Sequence, residues 1–169
     1  MGVVINPDVK FFYHASSGTL TYVVSDPSSG CAGIIDPVLG FSVVSGRTDT
    51  SLADCVVRYV EEQNLSVDWI LETHAHADHL TSAPYLKKKL GGRIAIGEGI
   101  LKVQAHFTPI FNMQPPFAAD GSQFDHLFVD GETFAIGEIE ATVIHTPGHT
   151  NDSITYVVGN AVFVGDTVF

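Results

Sequence analysis

The segment His74-Ala75-His76-Ala77-Asp78-His79 places four metal-capable side chains within six residues. A chain of this composition should carry that pattern by chance roughly once in a thousand. Residues 67–72, just before it, form a compact apolar run that reads as a buried strand. The cluster therefore sits at the carboxyl end of a strand, where chemistry usually collects. Alternation along a strand projects His74 and His76 to one side. The turn that follows can bring Asp78 and His79 round from another direction. One short segment can then serve two neighbouring metal positions. Imidazole nitrogen with carboxylate oxygen suits Zn, Fe or Mn, and the lack of thiolate argues against a closed Cys-type zinc site.

Two further segments match the first. Thr146-Pro147-Gly148-His149-Thr150 follows a predicted strand, and its Pro-Gly pair forces a tight turn that presents His149. Gly165-Asp166 ends another strand. Alone, either residue reads as an ordinary turn residue; beside the cluster, both read as ligands. A divalent metal held with open positions can lower the pKa of its water to about 7, or bind oxygen if it is iron. His14, His106, His126 and His145 have no such partners and read as surface or core histidines. Lys87, Lys88 and Lys89 read as a solvated helix end, with an anion site as the other reading.

The elements that must hold these residues follow from periodicity. Residues 19–25 and 31–36 read as strands of an antiparallel hairpin around Ser28-Ser29-Gly30. Residues 38–50 are rich in Gly, Ser and Thr and read as a loop. Ser51 can cap a helix to about residue 64, with Leu52, Val56, Val57 and Val60 at helical spacing. Residues 80–90 and 98–106 read as helices, and 93–96 as a short strand. Residues 107–123, with Pro109, Pro115, Pro116 and Gly121, read as a long loop. Strands are expected at 133–136, 139–144, 154–158 and 161–164. This order suggests an α+β domain over residues 1–169, with a mixed sheet and helices on one face.

Composition narrows the function classes. Apolar residues are 45 % and charged residues 16 % of the 169, which excludes a disordered chain. The net charge of −11 argues against a nucleic-acid binder working through a basic patch. No apolar run reaches the roughly 18 residues of a spanning helix, so no membrane role is expected. Residues 1–10 show no secretory signal, and Asn6 breaks the myristoylation pattern that Met1-Gly2 begins. Cys31 and Cys55 do not make a disulfide framework and read as small buried hydrophobes. A reducing, cytoplasmic location is expected, and the N-terminus leaves mitochondria open.

At these residues the chain resembles the metallo-β-lactamase fold superfamily. His74-x-His76-x-Asp78-His79, then His149, then Asp166 are that superfamily's metal motifs in their usual order. The flanking residues are narrower. Glu72-Thr73-His74 through Leu80, Ile34-Ile35-Asp36-Pro37 and Thr146-Pro147-Gly148-His149-Thr150 look like the persulfide dioxygenase branch, a relative of glyoxalase II. That resemblance implies oxidation of glutathione persulfide by O₂ to sulfite and glutathione at one non-haem Fe(II). It makes His74, His149 and Asp166 the iron ligands, with His76, Asp78 and His79 around them, Asp78 and His79 in catalytic roles. The glyoxalase II resemblance implies two metals, Zn²⁺ for example. His74, His76 and His149 would hold one, Asp78 and His79 the other, and Asp166 would bridge. A bridging hydroxide would then attack a thioester carbonyl. In both cases the partner is a small thiol-derived substrate.

The resemblance also implies an αββα sandwich of two similar halves, of which this chain carries the first. The final motif histidine and the region that mostly holds glutathione in relatives lie beyond Asp166. An uncovered sheet face is therefore expected, with self-association through it and low or no activity of the 169-residue chain alone, an inactive metal-binding fragment being the alternative to an enzyme. A β-lactam target is disfavoured by the missing export signal.

Overall fold

The computed structural model describes residues 6–113 and 117–168. The expectations for Met1, Gly2, Pro115 and Pro116 lie outside the described residues.

The first strands hydrogen-bond in a meander: β1 (Asp8–His14), β2 (Thr19–Ser25) and β3 (Cys31–Ile35) are successive antiparallel neighbours. From β3 onward the sheet turns parallel, through β6 (Ser66–Leu71), β8 (Arg93–Gly97) and β9 (His126–Phe128). A second sheet is an antiparallel run of β10 (Thr133–Ile136), β11 (Ile139–His145), β12 (Ile154–Val158) and β13 (Ala161–Phe163). Between them in sequence, β4 (Val38–Ser42), β5 (Arg47–Asp49) and β7 (Leu80–Thr81) form a small third sheet. Three helices complete the order: α1 (Ser51–Glu62), α2 (Ala83–Leu90) and α3 (Ile100–Ile110).

Alternation along the strands explains two separate cores. Ile35, Trp69, Leu71 and Phe128 face inward from the six-stranded sheet and meet Ile136, Val143, Tyr156 and Val158 from the four-stranded one. Val23, Ile34, Ile70 and Ile94 point the other way, onto Val56 and Val60 of α1 and Leu86 of α2. The layers are helix, sheet, sheet. Helices on one face are as expected, and the second sheet supplies the paired-sheet layers that the resemblance implies. On β1 the inner face reaches past the second sheet, so Val9, Phe11 and Tyr13 stay exposed, Phe11 to 60 %.

Several local expectations are corrected. Residues 38–50 contain the β4–β5 hairpin, because Gly40 lies against the Asp49 backbone and Gly46 supplies a positive φ at the turn. Ser51 is the first helical residue and not the cap; Asp49 Oδ1 accepts its N–H at 2.7 Å. Leu80 belongs to β7, and α2 starts after Ser82, with Pro84 in its first turn. The α3 helix starts two residues later than expected and runs through Pro109 to Ile110. β1 and β9 were not visible as periodic runs. Cys55 is exposed and Cys31 only partly buried, against the expectation of burial.

Two side chains stitch the sheets together. Trp69 Nε1 donates to the Ala135 carbonyl at 2.9 Å. The hydroxyl of Tyr156, fully buried, donates to the Glu72 carbonyl at 2.9 Å, beside the metal motif. Tyr156→Phe leaves that carbonyl without its donor, so stability should fall by about 1–3 kcal/mol with the fold retained. Urea denaturation measures it, and an unchanged midpoint would remove the bond's assigned role.

Candidate metal centre

Every sequence-predicted ligand lies at one edge of the sandwich. His74 follows β6, His149 lies in the β11–β12 loop, and Asp166 sits in the 3-10 turn Gly165–Thr167 after β13. One ligand atom from each of these three falls within 4.8 Å of the others. His149 Nε2 lies 3.4 Å and His74 Nε2 3.9 Å from Asp166 Oδ2. A second group, His76, Asp78 and His79, meets the same distance limit, and so does a third, Asp36, Glu72 and His76.

The turn that presents Asp166 depends on a missing side chain. Gly165 has φ +52°, and a Cβ there would collide with the Thr73 side chain. The end of β13 can thus close onto the residue before His74. Thr146 Oγ1 lies 2.9 Å from Thr155 Oγ1, and Gly148 N donates to the Thr150 carbonyl at 3.1 Å, shaping the loop that carries His149.

The imidazole of His74 has its tautomer set by a relay. Thr73 Oγ1 donates its one proton to Asp36 Oδ2 at 2.9 Å. The same oxygen lies 3.0 Å from His74 Nδ1, so it must accept there, and Nδ1 carries the proton. The Nε2 lone pair is then left facing His149 and Asp166. That Nε2 is buried and makes no hydrogen bond. A buried nitrogen lone pair beside a second imidazole and a carboxylate fits a bound cation, and the donor set fits a divalent transition metal.

His76 behaves differently. Its Nε2 points to Asp36 Oδ1 at 3.1 Å and to Glu72 Oε2 at 3.2 Å. Burial works against its charge, but the bonds to Asp36 and Glu72 outweigh this and hold its pKa up to about 11. Burial also pushes the Asp36 carboxyl up, yet His76 and Thr73 hold it below the usual range. For Glu72 burial prevails and the carboxyl is raised. The His76 imidazolium thus sits between two buried carboxyl groups, one held below and one raised above its usual range. Burial, and then the charge on His76, lower the pKa of both His74 and His79. Those two rings are therefore neutral, as metal ligands must be.

The outer members are tied to the scaffold. Asp78 Oδ2 accepts from Thr19 Oγ1 at 2.9 Å, and His79 Nδ1 donates to the Leu80 carbonyl at 3.1 Å. The His79 ring stacks on His76 with centroids 4.2 Å apart, and its Nε2 is buried without a hydrogen bond. Asp152 Oδ2 accepts the Ala75 N–H at 2.9 Å and fixes the backbone of the motif. Sequence reasoning quoted Asp36, Thr73 and Glu72 without giving them a role, and did not single out Asp152. The signal available for Asp36 was an acidic residue wedged between a strand and Pro37.

The remaining histidines stay outside the centre. His126 pairs with Glu132 at 2.7 Å, His14 Nδ1 lies 2.7 Å from Ser17 Oγ, and His145 Nε2 meets the Asn151 carbonyl at 3.2 Å. Lys87 pairs with Asp125 at 2.6 Å.

The relay makes a direct prediction. Thr73→Val removes the hydroxyl that fixes His74, so metal affinity should fall about 10- to 100-fold, whereas Thr73→Ser should stay near wild type. Competition against a chelator reads both, and equal affinities for the two variants would contradict the relay.

Comparison with known proteins agrees with this geometry. Residues 17–169 match the family described as the metallo-beta-lactamase superfamily. The chain is 49 % identical over 163 residues to a beta-lactamase hydrolase-like protein of Agrobacterium fabrum, covering 96 % of this chain and 38 % of that protein. It is 44 % identical to glyoxylase B2 of Dictyostelium discoideum, covering 95 % of this chain and 56 % of that one. The crystal structure of ETHE1 from Myxococcus xanthus superposes with a TM-score of 0.72 at 26 % identity, over 96 % of this chain and 58 % of that chain. The chain thus spans roughly two-fifths to three-fifths of the length of these relatives, in line with the N-terminal portion of the fold. By sequence, fold and the grouping of its histidines and carboxylates, the chain belongs to the metallo-beta-lactamase superfamily.

Proposed function

We propose that this chain carries the metal site of a mononuclear Fe(II) persulfide dioxygenase, with His74, His149 and Asp166 as ligands. One observation carries the choice over a two-metal hydrolase. His76 Nε2, a ligand in the hydrolase reading, is engaged by two buried carboxylates. Withdrawing it would leave Asp36 and Glu72 buried without their cation, a cost of several kcal/mol. Two imidazoles and one carboxylate remain, the facial set typical of Fe(II) oxygenases. The similarity to ETHE1 at 26 % identity and the wording around His74 and His149 support the same reading.

When bound, ferrous iron would supply sites for dioxygen and for the substrate sulfur. The balanced reaction is glutathione persulfide plus O₂ plus water, giving glutathione and sulfurous acid, with four electrons passing from the terminal sulfur to O₂. The residues of the chain do the rest. Thr73 holds His74 as the Nδ1–H tautomer. His79 Nε2, neutral and unprotonated, takes the proton of the incoming S–H group. Asp78 is held in place beside that ring by the Thr19 hydroxyl. His76 stays charged in its contacts with Asp36 and Glu72.

The thioester hydrolase remains the second reading because His76, Asp78 and His79 also lie within ligand distance of one another. Anaerobically purified protein should hold about one iron per chain and consume O₂ on glutathione persulfide. Two zinc ions per chain with thioester hydrolysis and no O₂ uptake would overturn the proposal. His149→Ala should abolish uptake and iron retention together, since it removes one of three ligands.

A further inference from the structure

We infer that the groove between α3 and the β11–β12 loop holds the anionic end of the substrate, and that Lys102 selects it. The inference rests on the metal-site reading above, because the groove opens at His149. Its volume is about 820 Å³. One wall is a single stripe of α3, since Lys102, Val103, His106 and Phe107 recur at helical spacing and all line it. The loop 145–151 is the opposite wall. The floor is Ala75 and Ala77, the small residues that alternate with His74 and His76 in the motif. Their size leaves room for a ligand that reaches the metal residues.

Charge gives the groove its selectivity. The chain carries a net charge of −11. Yet the ionisable residues lining this groove are Lys102, His106, His145, His149 and Asp152. Asp152, its one carboxylate, is 1 % exposed and already accepts the Ala75 N–H. The groove of about 510 Å³ on the other side of the site carries three carboxylates, Asp36, Asp78 and Asp166, against one cation, His76, which is paired with Asp36. An anion is therefore drawn to the α3 side. Lys102 is exposed and forms no ion pair among the described residues, unlike Lys87 on Asp125. A smaller adjoining cleft, which Lys102 and His145 also line, carries Glu98 and Asp130, and these disfavour an anion on that side of Lys102. The favoured position lies between Lys102 and His149. Val103 and Phe107 can pack against the aliphatic part of the same ligand. The ligand class is a carboxylate-bearing thiol derivative.

The test is calorimetric titration of the metal-loaded protein with S-methylglutathione and with its dimethyl ester, which lacks the carboxylate charges. Wild type should bind the free acid more tightly than the ester. Lys102→Gln should weaken the acid about tenfold or more and leave the ester nearly unchanged. Lys102→Arg should restore the difference, and added salt should erode it. In turnover, Lys102→Gln should raise KM with kcat held. Equal binding of acid and ester, no effect of Lys102→Gln, or no binding of either compound by wild type would each overturn the inference. Charge-dependent binding without any O₂ uptake would overturn the dioxygenase reading and leave the groove assignment standing.

Discussion

A buried carboxylate, Asp36, receives three donors at the edge of the sandwich: the Thr73 N–H, the Thr73 hydroxyl and His76 Nε2. Much of the site depends on them. Through the hydroxyl, Asp36 sets the tautomer of His74. Through His76, it withdraws one histidine of the motif and converts it to a fixed cation. Its own backbone is unusual, with φ at +49°, a region that non-glycine residues rarely occupy. The strain is of order 1–3 kcal/mol. The surrounding bonds hold it: Asp36 N donates to the Leu71 carbonyl, and Thr21 Oγ1 donates to the Asp36 carbonyl, both at 2.9 Å.

The second sheet is what brings the distant ligands to that edge. Tyr156 and Ile154 bond directly to the Glu72 and Thr73 carbonyls, so β12 is held against the segment that leads into His74. The loop before β12 then carries His149 into place, and the 3-10 turn after β13 carries Asp166. Gly165 permits the last approach because Thr73 occupies the space its side chain would need. Two histidines and an aspartate far apart in sequence thereby converge. The small alternating residues Ala75 and Ala77 line the groove on the α3 side, and Asp36, His76, Asp78 and Asp166 line the groove on the other.

The grouping of the candidate ligands was legible in the sequence because these residues sit at strand ends, where short-range patterns survive. The apolar run before His74 and the Pro-Gly turn before His149 are both local signals. The division of labour within the cluster was not legible. Whether His76 faces the metal or Asp36 depends on a contact between residues 40 positions apart. The same limit explains the missed strands. β1 contains Val9, Phe11, Phe12 and Tyr13 with little polar alternation, and β9 is only three residues long, held by parallel pairing to β8. The β4–β5 hairpin was hidden by its Gly and Ser content, which reads as loop until Gly40 is seen packed on Asp49. Cys55 was misjudged because its position on α1 turns it to solvent, whatever the habits of free cysteine.

The central claim is that the histidines of one motif are divided between a metal and a buried carboxylate pair. A crystal structure of the iron-loaded protein, with anomalous data at the iron edge, tests this most directly. The account predicts one ion bonded to His74 Nε2, His149 and Asp166, with His76 Nε2 still on Asp36 and Glu72. An ion bonded to His76, or two ions bridged by Asp166, would contradict it.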